Sequence, residues 1–221
     1  MGRTKEFRLF VTNGIYSVGC NGQTLFFYKY DEEVKRIKDL IYVNFLALSP
    51  DNDTLGIKSC DGRLAFYSLS QQKLIKKFRF SKIDHAQDGN CLFLPNGDFA
   101  NIESIDSEFT QYISFYSANE FSLIKRFPEQ FENVHYYFIE YDKESDACFL
   151  HGYDRHDDNF KHGYFVGKLL NNKLDKCYIT EHESEFYWKY LNFPNFRSEE
   201  YLCNPKHSLA TLYRYYKESK S

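Results

Sequence analysis

Short runs of alternating apolar and polar residues fill most of the chain, and turn-forming residues separate the runs. In the clearest stretch, Asp61-Gly62 joins two such runs, and this dipeptide tolerates the positive φ that a tight β-hairpin requires. Lysines follow in the last run, as is typical of an edge strand, because charge there discourages pairing with another chain. The pattern predicts four antiparallel strands, at residues 42–48, 54–60, 63–69 and 73–78.

The same pattern returns along the chain as an internal repeat. Residues 66–78 recur as residues 115–127 at a constant offset of 49, and seven of the thirteen positions are identical. Residues 14–28 match residues 56–67 with a slip of a residue or two, and looser copies lie around 148–169 and 201–216. Repeats of about 44 residues, each with four antiparallel strands, predict an all-β fold: a small β-propeller of about five four-stranded blades.

The two chain ends bear on whether such a ring closes. The last unit ends after its third predicted strand at Tyr216, so the N-terminal strand, residues 6–11, is the candidate that completes it. An open ring, or one completed in a dimer, is the alternative, and it leaves the oligomeric state undecided. One segment is ambiguous, because residues 32–40 suit a strand or a short helix equally, and no other stretch suggests a helix of three turns.

The second unit resembles a known repeat. Residues 46–69 are similar to a WD40 repeat, although Tyr67 and Tyr116 stand where that family has Trp, and Ser68 and Ser117 stand where it has Asp. The chain is therefore identified as a divergent member of the WD40-like propellers. This resemblance implies a single WD40-like β-propeller domain over residues 1–221 and a role in binding another protein.

Composition and charge restrict the fold class, the kind of partner and the cellular location that we expect. Phe, Tyr and Trp make up 19% of the residues, and aromatic side chains favour strands. There are 28 basic and 31 acidic residues, so no basic excess indicates a nucleic-acid partner. No apolar run is long enough for a membrane span or a secretory signal. The six cysteines are scattered and form no Cys-x-x-Cys pair, which predicts buried free thiols and a reducing, cytoplasmic location.

The most conspicuous polar stretch is residues 151–163, which holds three histidines and three aspartates. These are metal-ligating residue types, but their spacing matches no established site, so no metal and no cofactor are expected. The stretch falls where the fourth unit needs its second-to-third strand hairpin, and it is longer than the Asp61-Gly62 turn. Long insertions into a short-loop scaffold are often functional. The predicted partner contacts are Arg155, His156, Asp157, Asp158 and Phe160.

A second candidate surface joins an acidic run, residues 181–185, to an aromatic cluster, residues 186–190. Tyr187 and Trp188 are of the types that anchor protein interfaces, and they also stack on sugars. In the competing interpretation, Phe186, Trp188 and Tyr190 fill the core side of an inner strand. Both interpretations remain open at the level of sequence.

Enzyme signatures such as Gly-x-Ser-x-Gly, His-Glu-x-x-His and the Walker A loop are missing from the sequence. The leading hypothesis is a non-catalytic protein-binding propeller, either a scaffold or assembly subunit or a dedicated inhibitor such as an immunity protein. The alternative, by analogy of architecture, is a carbohydrate-binding or glycoside-processing five-bladed propeller.

Overall fold

A computed structural model of the chain describes residues 7–38, 42–59, 62–79, 89–104, 111–130, 132–154, 163–180 and 208–218. These residues form sixteen β-strands and one α-helix. The chain divides into two compact units, Met1–Arg126 and Phe127–Ser221. The single domain predicted over residues 1–221 stays a prediction.

The described part of the first unit contains three antiparallel sheets, each with its four strands in chain order. The first sheet consists of β1 (Leu9–Thr12), β2 (Tyr16–Cys20), β3 (Leu25–Lys29) and β4 (Glu32–Ile37). The second consists of β5 (Val43–Leu48), β6 (Thr54–Ser59), β7 (Arg63–Ser68) and β8 (Lys73–Arg79). The third consists of β9 (Cys91–Phe93), β10 (Phe99–Ser104), β11 (Gln111–Tyr116) and β12 (Leu123–Phe127).

The second unit contains one sheet of the same kind and a helix. The fourth sheet consists of β13 (Val134–Asp142), β14 (Ala147–Asp154), β15 (Gly163–Leu170) and β16 (Lys173–Thr180), again in chain order. The helix α1 spans Leu209–Glu218.

The strands predicted between residues 42 and 78 are confirmed as β5 to β8, each within one residue at either end. Gly62 takes a φ of 80° beside the second hairpin, and Gly22 takes a φ of 99° beside the first. Glycine has no Cβ, so it adopts this left-handed conformation without the steric cost that other residues incur. Residues 32–37 form strand β4, which decides the ambiguity between strand and helix in that segment.

Aromatic side chains fill the space between the second and third sheets. Phe66 is completely buried, stacks on Phe121 with ring centroids 3.8 Å apart, and meets Phe99 edge to face at 4.8 Å. Phe115, its partner in the repeat, is 6% exposed. Both lie at the same place on the third strand of their sheets, with Phe66 opposite Gly56 and Phe115 opposite Ala100. The prediction that these two residues are equivalent core positions is confirmed.

The third strand predicted for a fifth repeat, ending at Tyr216, is wrong, because residues 209–218 form a helix. Leu209 and Leu212 are buried against the fourth sheet, and Tyr213 and Tyr216 pack beside them. This spacing, i, i+3, i+4 and i+7, puts all four on one helical face. The Ser208 hydroxyl accepts a hydrogen bond from the Thr211 amide at 3.1 Å and caps the helix N-terminus. A ten-residue helix, just under three turns, therefore stands where a strand was predicted, and a fifth blade stays a prediction because residues 181–207 lie outside the described residues.

In the described part of the chain, the N-terminal strand belongs to the first sheet, and its predicted completion of the last repeat stays a prediction. Strand β1 pairs with β2 in the first sheet, with Leu9 opposite Cys20 and Thr12 opposite Ser17. A tight turn brings the two strands together, since the Asn13 side chain accepts hydrogen bonds from the amides of Ile15 and Tyr16, at 2.9 and 2.7 Å. A local hairpin closes a short loop, which costs less conformational entropy than joining the two ends of the chain.

Candidate functional site

The polar stretch predicted to contact a partner lies where the sequence placed it, between the second and third strands of the fourth sheet. Strand β14 ends at Asp154 and β15 begins opposite it at Gly163, so residues 155–162 connect them. The predicted contacts within this connection lie outside the described residues, and so do Tyr187 and Trp188. All seven therefore stay predictions: Arg155, His156, Asp157, Asp158, Phe160, Tyr187 and Trp188.

The base of this hairpin is held by a buried carboxylate. Asp154 is 2% exposed and accepts hydrogen bonds from the Tyr178 hydroxyl at 2.6 Å and from the Lys176 ammonium at 3.0 Å. Burial and the neighbouring Asp154 carboxylate raise the pKa of Tyr178. A buried charge requires such partners, because its desolvation is otherwise uncompensated. Asp154 therefore secures the last ladder position before residues 155–162.

His151, the first histidine of the stretch, serves the core. It is fully buried, and its Nδ1 lies 2.9 Å from the Phe165 carbonyl oxygen, to which the protonated nitrogen donates. Burial lowers the pKa of His151 to about 4, so the ring is neutral near pH 7. In the described part of the chain, no group of three or more His, Cys, Asp or Glu side chains is placed to hold a metal ion.

A cavity of about 870 Å³ lies in the first unit, between the first and second sheets. Volumes of this size are typical of small-molecule sites. Most of its wall is apolar, and it continues the core that those two sheets share. The apolar part of the wall is formed by Leu25, Ile37, Ile57, Leu64, Ala65, Tyr67, Leu74 and Phe78.

The polar part of the cavity wall is basic. Lys35, Arg63 and Lys77 line it together with Ser59, and no acidic residue is among the described lining residues. The Lys35 ammonium donates to the Gln72 carbonyl at 2.7 Å and lies 4.9 Å from the centroid of the Tyr67 ring. The described wall thus combines an apolar floor with cationic side chains.

The sequence pattern does not indicate this cavity. Lysines on the outer strands are explained there by protection of the sheet edge, which is a property of one strand considered alone. Lys35 belongs to the first sheet and Arg63 to the second, and the two line one cavity only after both sheets have formed. The one usable signal was the repeat, in which Ala65 stands at the position of the larger, polar Ser114.

Comparisons with known proteins bear on the fold. No protein-family model matches the chain, and no curated protein matches its sequence. Among solved structures, the WD40 domain of coronin from Toxoplasma gondii matches with a TM-score of 0.55 and 11% identity over 79% of this chain. Hydrazine synthase from Kuenenia stuttgartiensis matches with a TM-score of 0.54 and 8% identity over 75%. The chain spans 45% and 47% of the lengths of these two structures.

At such low identity the likeness shows the fold alone. The repeated four-stranded antiparallel sheets are of the WD40-like propeller type, so the resemblance drawn from residues 46–69 is confirmed at the level of fold. In the part of the chain that the structure describes, no helix has the length and apolarity needed to cross a membrane.

Proposed function

We propose that the chain is a non-catalytic protein-binding module and that residues 155–162 form its main contact surface. The observation that carries the proposal is the position of this connection, which joins the second and third strands of a WD40-like sheet. The corresponding connections of the first two sheets are shorter, at residues 21–24 and 60–62. Folding alone needs only such short turns, so the extra length supports a role in recognition.

The strands on both sides support this role, because they hold the two ends of the connection in place. Asp154 is bonded to two side chains of β16, and strands β14 and β15 pair along seven positions from Cys148–Leu169 to Asp154–Gly163. A contact segment on a rigid base loses less conformational entropy when a partner binds.

Arg155 and Phe160 are the proposed anchors, since Arg and aromatic residues dominate the binding energy of protein interfaces. His156, Asp157 and Asp158 are the proposed polar rim, where charges alter the association rate and its salt dependence more than the affinity. The segment with Tyr187 and Trp188 is the next candidate if the first one fails.

The test is affinity capture of the native partner followed by binding measurements on variants. Arg155→Ala combined with Phe160→Ala should weaken binding by about 2 kcal/mol or more, while the melting temperature changes little. Gln23→Ala, in the exposed β2–β3 connection, is the matched control and should leave binding unchanged. Wild-type affinity in the double variant would move the contact surface elsewhere on the molecule.

The captured material also distinguishes two roles for such a module. A single partner in stoichiometric amount supports a dedicated inhibitor, for instance of the immunity type. Several partners that co-purify support a scaffold or assembly subunit.

A further inference from the structure

Asparagine is followed by glycine at three places in the chain, Asn13-Gly14, Asn21-Gly22 and Asn96-Gly97. Glycine has no side chain to shield its amide nitrogen, so this nitrogen can attack the Cγ atom of the preceding asparagine. The new bond from nitrogen to Cγ closes a cyclic imide, and the side-chain nitrogen leaves as ammonia with the proton of the amide. Water then opens the imide at either carbonyl and gives aspartate or isoaspartate. The hydrogen bonds that hold the reacting groups decide how readily each pair can react.

The first pair is held on both sides of the reaction. The Asn13 side-chain oxygen accepts a hydrogen bond from the Tyr16 amide at 2.7 Å, and its nitrogen donates one to the Asn52 carbonyl at 2.6 Å. The Gly14 amide, which would be the nucleophile, donates to the Thr12 hydroxyl at 3.1 Å. Attack at Asn13 therefore requires that several hydrogen bonds break together, and each of them has a cost.

The third pair is held in a similar way. The Asn96 side-chain oxygen accepts from the Asp98 amide at 3.0 Å, and its nitrogen donates to the Asp98 carboxylate at 2.7 Å. The Gly97 amide donates to the Leu94 carbonyl at 2.9 Å, which fixes it in the turn between β9 and β10. Both reacting groups of this pair are thus bonded to oxygen acceptors or to amide donors of their own turn.

The second pair, in the connection between β2 and β3, is held least. The Asn21 side chain is exposed, and within the described part of the chain it has no hydrogen-bond partner. The Gly22 amide donates to the Cys20 sulfur at 3.3 Å, and sulfur is a weak acceptor. Asn21 therefore reaches the geometry of attack with the fewest and weakest hydrogen bonds to break.

We propose that Asn21-Gly22 is a deamidation site of the folded chain. The Gly22 nitrogen bonds to Asn21 Cγ, ammonia leaves, and water opens the imide, so that residue 21 gains a negative charge. In the isoaspartate product the main chain runs through the former side chain and is longer by one carbon. The Gly22 carbonyl accepts a hydrogen bond from the Val43 amide at 3.0 Å, which ties the first sheet to the second. Isoaspartate displaces this carbonyl and weakens the tie. The site is independent of the protein-binding surface proposed above.

Peptide mapping by mass spectrometry, after incubation of the full chain at mildly alkaline pH, tests the proposal. In the folded chain Asn21 should deamidate at least about tenfold faster than Asn13 or Asn96, because fewer hydrogen bonds oppose the attack. In denaturant the three should react at similar rates, since each asparagine precedes glycine and the hydrogen bonds are lost. Equal rates in the folded chain, or a faster reaction at Asn13 or Asn96, would overturn the proposal.

Two variants test the consequence for the tie between the sheets. After the same incubation, the wild-type chain and Asn96→Ser should melt at a lower temperature than fresh samples, whereas Asn21→Ser should keep its melting temperature. Enzymatic methylation of isoaspartate measures that product in each sample. An equal loss of stability in Asn21→Ser, or no loss in a wild-type sample that contains isoaspartate at residue 21, would contradict this consequence.

Discussion

The second and third sheets show how one repeat can keep its framework and change its interior. Both have four strands in chain order and a buried Phe-Tyr pair on the third strand, Phe66-Tyr67 and Phe115-Tyr116. On the face that bears the tyrosine, the third sheet holds the buried Glu103, whose carboxylate accepts hydrogen bonds from Ser114 and Tyr116, whereas the second holds a cavity with a basic wall. Main-chain pairing and aromatic packing therefore preserve the fold, and the polar positions are free to diverge.

The fourth sheet offers a third version of the same position. Val166 lies on its third strand, one residue after Phe165, where the other two sheets have tyrosine. The polar group comes instead from the neighbouring strand, where His151 pairs with Val166 and hydrogen-bonds the Phe165 carbonyl. The interior polar groups are thus Tyr67 in the second sheet, Tyr116 with Glu103 in the third and His151 in the fourth. Replacing them should therefore change the free energy of unfolding to different extents.

The largest expected effect tests the shared framework. Phe66→Ala and Phe115→Ala should each lower the free energy of unfolding by roughly 3–5 kcal/mol, because each leaves a cavity in a packed aromatic core. Phe10→Ala is the control, since Phe10 is 54% exposed, and it should cost less than about 1 kcal/mol. Chemical denaturation measures all three. A loss below about 1 kcal/mol at both core sites would show that the repeat alignment misplaces the buried face of the third strands.

The next-largest expected effect distinguishes the interior of the third sheet from that of the second. Glu103→Gln should lower the free energy of unfolding by about 2–3 kcal/mol, because the amide cannot accept from all the donors that surround the carboxylate and leaves Arg126 unbalanced. Ser59→Gln, at the matching position, enters the cavity and should cost less than about 1 kcal/mol. Equal losses at the two positions would contradict the distinction between a satisfied interior and an unfilled one.

The buried histidine of the fourth sheet should make the stability of the chain depend on pH. The pKa of His151 is about 4 in the folded chain and near 6.5 when unfolded, so the unfolded state binds more protons as the pH falls. Stability is therefore full above the unfolded pKa and decreases towards the folded one, by about 2 kcal/mol between about pH 7.5 and pH 5. His151→Asn should remove this part of the slope in denaturation measured across that range. An unchanged slope in the variant would exclude His151 as its source.

The smallest expected effect distinguishes the hydroxyl of Tyr116 from that of Tyr67. Tyr116→Phe should cost about 1.5 kcal/mol, because Glu103 loses a donor, whereas Tyr67→Phe should be neutral or slightly stabilising, since its hydroxyl has no described partner to lose. Thermal melting of the two variants measures the difference. A cost of about 1 kcal/mol or more for Tyr67→Phe would show that its hydroxyl is already bonded within the chain.

The amino-acid sequence alone predicts the local elements and their repetition. Alternation and turn residues placed β5 to β8 within one residue, and the offset of 49 identified Phe66 and Phe115 as equivalent. These features depend on neighbours along the chain or within one hairpin, which the pattern records directly. The same kind of signal was present for α1 in Ser208 and the apolar spacing from Leu209 to Tyr216, but the expectation of another blade overrode it.

Which side chains meet across strands and sheets depends on the tertiary structure. Glu103 and Tyr116 are thirteen residues apart, and Lys35 and Arg63 line one cavity from different sheets. A lysine on an outer strand has the same sequence pattern whether it faces water or a cavity, and a buried glutamate has no periodicity that marks it. Their roles depend on the groups brought opposite them by folding, because burial and pairing, not residue type, set the cost of a charge.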